Sequence, residues 1–402
     1  MRIAFFTDSF PPTHDGVARE TDALARALRQ RGHPVHVVTV GRAGLSRDEV
    51  RNDGVTVRRV RSIAAPGYPQ YRIALSPGGA HTLAAVRRSD VVHVHTPGFV
   101  GLAGFLLARG TGTPVLSTYH TDLAGILGTM PADRGRAAFY RRWARFALDL
   151  CRASDAATAP TARAAAALAA PKSRAGAPEV VPNGVELDRF GPAAPGPDWP
   201  ARLGSGRRPL VTYLGRLTRD KGVLTLLDAT ERLPPEVAMD LVIGGEGPQA
   251  GALRERIDGS PLLSRRVRLV GPVDEEEKPA LLAQSAVFVL PSTADTSSVA
   301  VLEAMACGTA VVASRVGGPR EIVQDGETGL TVDPRDPSEI ARAIGALLGD
   351  PLRRAALGRA ARNWAVAHAS VAATAGRYLD LYARIGAGRG GANGPAPTAP
   401  AR

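Results

Sequence analysis

Short apolar runs alternate with longer segments of helical periodicity along most of the chain. In the first half the runs are RIAFF (2–6), HPVHVVTV (33–40), SDVVHVHTPG (89–98) and TPVLSTYHTD (113–122). Between the first two, a helical pattern begins at Val17 and continues through Leu24 and Leu28. The second half repeats the form with PLVTYLGRL (209–217), MDLVIGGEG (239–247), RVRLVGPV (266–273), SAVFVLPS (285–292), AVVAS (310–314) and GLTVD (329–333). Runs of this kind between helices predict parallel sheets covered by helices on both faces. The expected fold class is α/β, with two doubly wound, Rossmann-like domains facing each other across a cleft. Residues 1–184 form the first domain and 209–385 the second, whose last helix is a candidate to cross back to the first. The Pro- and Gly-dense stretch 185–208 reads as the linker, and the low-complexity segment 386–402 as a disordered tail. Ligands of such sheets bind beyond the carboxyl ends of the strands, so the turns after Phe6, His95 and Tyr119 are places to look.

Composition narrows the setting. A chain of 402 residues with 44% apolar content suits two full cores. The two cysteines, Cys151 and Cys307, exclude a disulfide framework or a cysteine-rich zinc site and suit a reducing compartment. The opening MRIAFFTD reaches an acid before any long apolar region, unlike a signal peptide, and no apolar run approaches the ~20 residues of a spanning helix. The expected location is cytoplasmic, with peripheral contact at the inner face of the membrane as an option. The net charge of +12 is uneven: residues 1–190 hold 25 Lys and Arg against 15 Asp and Glu, and the rest 25 against 23. A basic first half points to an anionic partner, or else to a solvated arginine-rich surface. The absence of aromatic–basic interleaving argues against single-stranded nucleic acid.

The most informative stretch is PSTADTSSVAVLEAMACG (291–308). It turns at Pro291 and Ser292, then reads as a helix, VAVLEAMA, closed by Gly308. Asp295 and Glu303 stand eight positions apart, one before the helix and one inside it. Backbone N–H groups and the positive end of the helix dipole suit an anionic ligand there, with the carboxylates available for sugar hydroxyls. In YLGRLTRDKG (213–222), Arg216 and Lys221 flank a strand-to-helix turn, placed to hold a diphosphate and stabilise it as it leaves. The chain has only three lysines against 47 arginines, so Lys221 beside a glycine turn is informative, although a solvated basic loop is the plainer reading.

Other segments are weaker. Gly16 in PPTHDG (11–16) permits close backbone approach, but such turns are more often connections. His120, at the end of a strand and followed by Asp122, can hydrogen-bond a sugar hydroxyl or a developing charge, whereas a lone histidine is more often structural. GGEGPQA (244–250) satisfies G-x-G-x-x-A after a strand, the pattern of a dinucleotide fingerprint and of an NAD-dependent dehydrogenase, with Pro248 intruding on the turn. The segment 134–152 is a basic amphipathic helix, with Phe139, Trp143, Phe146 and Leu150 on one face and Arg134, Arg141, Arg145 and Arg152 opposite. It reads either as core-packed or as lying on an anionic membrane.

Taken together, these segments resemble the retaining GT-B glycosyltransferases of family 4 over nearly the whole chain apart from the tail. The resemblance is carried by FTDSFPPTHDGVARE, STYHTDL, VPNGVELDRF (181–190), YLGRLTRDKG, GGEGP, PSTADTSSVAVLEAMACG and GGPREIV (317–323). Within the family, TDSFPP…GVARE and YHTD look most like the branch acting on lipid acceptors, including mannosyl-, glucosyl- and sulfoquinovosyltransferases. The family's usual Glu-x7-Glu appears as Asp295-x7-Glu303, its Gly-Phe-Gly as Thr296-Ser297-Ser298, and its first glycine pair as Asp15-Gly16. The resemblance implies transfer of a hexosyl group, of mannose or glucose type, from a GDP- or UDP-linked sugar to an acceptor hydroxyl without a metal. Glu303 would hold the ribose, Asp295 the sugar, and Arg216 and Lys221 the departing diphosphate, with His120 bordering the anomeric centre. Gly16, Glu246, Ser297, Ser298 and Val299 complete the donor side; Asp15, Tyr119, Asp122, Arg141 and Arg145 are acceptor-side candidates. A glycolipid or other anionic lipid is the leading acceptor, ahead of oligosaccharides and small natural products. A nucleotide-sugar-binding protein that has lost catalysis is the alternative of another class.

Overall fold

The computed structural model describes residues 1–390, apart from 14, 43, 66–67, 77 and 121–133. Asp122 therefore lies outside the described residues. The first sheet contains β1 (Ile3–Phe6), β2 (Val35–Val40), β3 (Asp48–Val50) and β4 (Thr56–Val60). A separate hairpin, β5 (Ser62–Ala65) with β6 (Tyr68–Ala74), follows, and β7 (Val91–Val94), β8 (Val115–Thr118), β9 (Ala156–Ala159) and β10 (Glu179–Val180) complete the sheet. Its order is β10-β9-β8-β7-β1-β2-β4-β3, parallel except for the β3–β4 edge. The second sheet holds β11 (Leu210–Leu214), β12 (Asp240–Gly244), β13 (Val267–Gly271), β14 (Ser285–Leu290), β15 (Ala310–Ser314) and β16 (Leu330–Val332). It is parallel throughout, in the order β13-β12-β11-β14-β15-β16.

Helices cover both faces of each sheet, which is why the central strands read as unbroken apolar runs. Alternate residues of β1 feed different cores. Phe5 joins Leu24, Leu28 and Val35 on one face, while Phe6 joins Val38, Val92 and Val94 on the other. The last helix, Val371–Gly390, returns to the first domain, where Tyr378 and Tyr382 complete the Phe5 core. It extends five residues past the expected boundary at 385.

The stretch expected as a linker is folded onto the second domain. Phe190 and Trp199 are buried in that domain's core, and Asp198 caps the short helix Trp199–Leu203 by accepting from the Ala201 N–H at 3.0 Å. Its prolines and glycines make anchored turns. The chain passes between domains instead at two adjacent strands, where Val185 pairs with Ser370 and the Val371 N–H donates to the Val185 carbonyl at 3.0 Å. Gly184 leaves no room for a side chain, since a Cβ would lie 2.5 Å from the Val371 Cα.

Glu20, on the helix Gly16–Gln30, is buried beneath this crossing and accepts from the Gly184 N–H at 3.0 Å. Burial raises its pKa from 4.5 to about 8, against that hydrogen bond. A carboxyl raised on folding stabilises most below its unfolded pKa, and the contribution is lost as pH rises towards the folded value. Stability should therefore fall between about pH 4.5 and 8 by an amount on the order of a few kcal/mol. Glu20→Gln keeps an oxygen for Gly184 and should flatten that slope in denaturant melts across this range. An unchanged slope would show that another group titrates.

Candidate active site

In the second sheet the strand order reverses between β11 and β14, so the loops leaving their carboxyl ends lie side by side over a crevice. The first loop, 215–222, carries Arg216 and Lys221; the second, 291–298, carries Asp295, Ser297 and Ser298. The two are joined through the backbone: the Thr293 N–H donates to the Asp220 carbonyl at 2.7 Å. Gly222 adopts φ +68°, and a Cβ there would meet the Pro291 carbonyl oxygen at 2.0 Å. This contact brings Lys221 Nζ to 2.7 Å from Asp295 Oδ2, both side chains 14% exposed. Arg216, fixed by the Tyr213 hydroxyl donating to its carbonyl at 2.7 Å, lies 3.6 Å from Asp220. The expected helix forms over Val299–Ala306, and Ser298 stands at its N-cap without a side-chain capping bond.

Glu303 lies inside this helix and is 3% exposed. Its Oε1 accepts from Lys278 Nζ at 3.0 Å, while Arg19, from the other domain, approaches Oε2 at 4.0 Å. Oε2 is buried and has no hydrogen-bond partner among the described residues. Lys278 also bonds Glu275 at 2.6 Å and sits 5.4 Å from the Phe190 ring centroid, while Arg19 lies 3.5 Å from Glu275. Burial lowers the pKa of Lys278, assisted by Arg19. For Arg19 burial acts downwards, but Glu303 and Glu275 outweigh it and raise its pKa. Sequence reasoning missed both cations. Lys278 follows three glutamates and reads as part of a solvated run, and only the fold takes it inside.

On the first domain, His120 follows β8 and is half-buried, its Nε2 3.1 Å from His95 Nδ1. Burial lowers its pKa to about 4, so it is neutral at pH 7. Asp15 caps the helix Gly16–Gln30, accepting from Ala18 N–H at 2.8 Å and Ser9 Oγ at 2.5 Å, which engages its carboxylate structurally. Gly16 faces the second domain, a Cβ there lying 3.8 Å from Val299 Cγ2. The Tyr119 ring is buried with Cys151 and Leu168, so packing accounts for it. Arg141 and Arg145 lie exposed on the helix Arg134–Ala153, whose Ala147 and Leu150 are buried. That helix is thus packed on the core with Arg141 and Arg145 outward. Glu246 is exposed, and its carbonyl accepts from the Leu217 N–H at 2.8 Å.

The dinucleotide-fingerprint reading of 245–250 is corrected. A Cβ on Gly245 would meet the Gly215 carbonyl oxygen at 1.9 Å, and one on Gly247 the Leu217 oxygen at 2.5 Å. These glycines let the β12 loop pass under the β11 loop, which accounts for them without a coenzyme. Among the described residues, no group of three or more His, Cys, Asp and Glu is placed to hold a metal ion, and no helix is long and apolar enough to cross a membrane.

Two Rossmann-like domains with this crevice are arranged as in the GT-B architecture. Residues 14–189 match the family described as Glycosyltransferase Family 4, and residues 208–350 that described as Glycosyl transferases group 1. The chain is 31% identical to the alpha-maltose-1-phosphate synthase of Mycolicibacterium smegmatis, over 96% of its own length and all of that protein's. A GDP-mannose-dependent alpha-(1-6)-phosphatidylinositol monomannoside mannosyltransferase of the same species is 39% identical over 47% of this chain and 51% of its own. Among solved structures, the sucrose-phosphate synthase of Thermosynechococcus elongatus superposes with a TM-score of 0.78 at 26% identity, covering 96% of this chain and 100% of that one. The chain belongs to the family 4, group 1 glycosyltransferases and is an enzyme of that class.

The 295–298 loop rests on a glycine pair. A Cβ on Gly318 would lie 2.1 Å from the Thr296 carbonyl oxygen, and the Gly318 N–H donates to the Asp295 carbonyl at 2.8 Å. Gly318→Ala should destabilise the protein by about 1–3 kcal/mol through overpacking. Gly345→Ala, mid-helix with its nearest neighbour at 3.6 Å, should stabilise it by about 0.5–1 kcal/mol. Denaturant unfolding of the two variants checks the difference in sign.

Proposed function

We propose that the enzyme transfers a hexosyl group from a GDP- or UDP-linked sugar to an acceptor hydroxyl, with retention of anomeric configuration and without a metal. The observation that carries this reading is the Lys221–Asp295 pair, 2.7 Å apart on two stitched loops at the switch point. A diphosphate entering there competes with Asp295 for Lys221 and frees the carboxylate for a sugar hydroxyl. Arg216 and Lys221 neutralise charge developing on the departing phosphate, a role fixed cations fill best in a site screened from water. The N–H groups of Ser298 and Val299, which have no acceptor among the described residues, favour the same anion. Glu303 Oε2, buried and without a hydrogen-bond partner among the described residues, suits a ribose hydroxyl. His120 borders the sugar from the other domain.

On the acceptor side, the basic first domain supports an anionic acceptor. Two relatives are named for phosphorylated sugars and a third for a phosphatidylinositol mannoside. A glycolipid is the acceptor class we favour, with peripheral contact at the inner membrane face through the exposed arginines of the helix Arg134–Ala153.

A thermal-shift panel of GDP, UDP, their sugars and NAD, with chelator present, tests the donor. One nucleotide diphosphate at about 100 times its Kd should stabilise the protein by about 2.7 kcal/mol. Glu303→Ala should lose that shift, and Lys221→Ala should lower kcat by on the order of 10²-fold or more. Product NMR should show the donor's anomeric configuration kept. Stabilisation by NAD alone, or activity restored only by a divalent cation, would sink the reading.

A further inference from the structure

Three histidines lead from the core of the first domain to the end of β8. His93 and His95 are two positions apart at the end of β7, and both are buried. His93 uses both ring nitrogens, Nδ1 with the Tyr382 hydroxyl at 2.7 Å and Nε2 with Thr118 Oγ1 at 2.7 Å. His95 uses one, Nδ1, at 3.1 Å from His120 Nε2. Its Nε2 is buried and has no hydrogen-bond partner among the described residues. Phe5 packs edge-on against His95 with centroids 4.5 Å apart, and the His93 ring lies 3.8 Å away. Burial lowers the pKa of all three rings, with the neighbouring histidines adding to the effect on His93 and His95.

Each neutral imidazole carries one hydrogen, on one nitrogen or the other. Were the hydrogen of His95 on Nε2, a buried N–H would face no acceptor, and orphaned buried N–H groups are rarer than under-used acceptors. Placing it on Nδ1 leaves only a lone pair unused and makes His95 the donor to His120 Nε2. The single hydrogen of His120 then sits on Nδ1, which makes no hydrogen bond among the described residues.

We propose that His95 is a positioning residue that locks His120 as the Nδ1–H tautomer, so that His120 meets substrate as a hydrogen-bond donor to oxygen rather than as a base. The proposal rests on the reading of His120 as a cleft residue given above. Under it, the proton of the acceptor hydroxyl passes to some group other than His120.

The test is long-range proton–nitrogen NMR of the full chain labelled with ¹⁵N-histidine at pH 7, the His120 signals being assigned by their loss in His120→Gln. The expected wild-type result is hydrogen on Nδ1 and a bare Nε2. His95→Leu should give a mixture of tautomers and a kcat about tenfold lower, with the donor KM little changed. His95→Asn, whose amide N–H reaches nearly the same place as the imidazole Nδ1–H, should restore both. Hydrogen on Nε2 in the wild type overturns the proposal, as does reduced transfer in His95→Leu with the His120 signals unmoved. An Nδ1–H tautomer together with full transfer by His120→Ala upholds the lock and overturns the substrate role of His120.

Discussion

The geometry of the site depends on backbone meeting backbone where the strand order of the second sheet reverses. Two loops leave neighbouring strands there, and nothing but glycine fits at Gly222, where the first meets Pro291 of the second. A Cβ at Gly222, Gly245 or Gly318 would come within 2.1 Å of a carbonyl oxygen of another segment. Such contacts leave little freedom to slide, because interiors at this density transmit displacement rather than absorb it. Lys221 and Asp295 lie 74 positions apart in the chain, yet meet at 2.7 Å because each is one short step from such a contact. The glycines set the distance between the two side chains.

The same crevice holds a second, more deeply buried charge cluster with a different logic. Lys278 and Glu303 are each 3% exposed, and charges so enclosed persist only when paired and hydrogen-bonded. Lys278 answers Glu303 and Glu275 together, and Phe190 offers its ring to the ammonium. That gives the VPNGVELDRF segment a physical role: its Asn183–Val185 end makes the chain crossing and its Phe190 end supports the cation. Arg19 closes the cluster from the other domain. The charge balance around Glu303 therefore includes a residue whose position depends on how the domains are disposed. Removing one member leaves its partners charged and unpaired, a larger perturbation than loss of one surface ion pair.

Much of this was legible in the sequence, for a reason specific to parallel sheets. Strands covered on both faces must be apolar throughout, so runs such as 285–290 and 310–314 announce themselves. The helix at 299–306 and its closing Gly308, at φ +75°, were equally plain. The edge was not. Asp48–Val50 is polar and largely exposed, and Ala156–Ala159 lacks the branched residues that mark a strand. Pattern alone also left a dinucleotide reading open at Gly245 and Gly247, because a glycine needed for loop packing looks the same as one needed for a pyrophosphate. Lys278, Arg19 and His95 show the deeper limit. Their partners are 25 to 284 positions away, and no local periodicity encodes a contact of that range.

The last helix ties these levels together. By position it ends the second domain, yet its aromatic residues fill the core of the first, and its Tyr382 holds His93. The His93–His95–His120 series is thus braced from beneath by a segment anchored, through Ser370 and Val371, beside the crossing at Val185. Closure of a two-domain cleft is expected to rotate the domains about their connections. Here both connections run side by side, and Gly184 packs against Val371 with no room for a side chain. The two connections are held in register by the Val185–Ser370 bridge and by the Val371 N–H donating to the Val185 carbonyl. The support of His93 thus comes from a helix packed into the first domain's own core, although that helix follows the second domain in the chain.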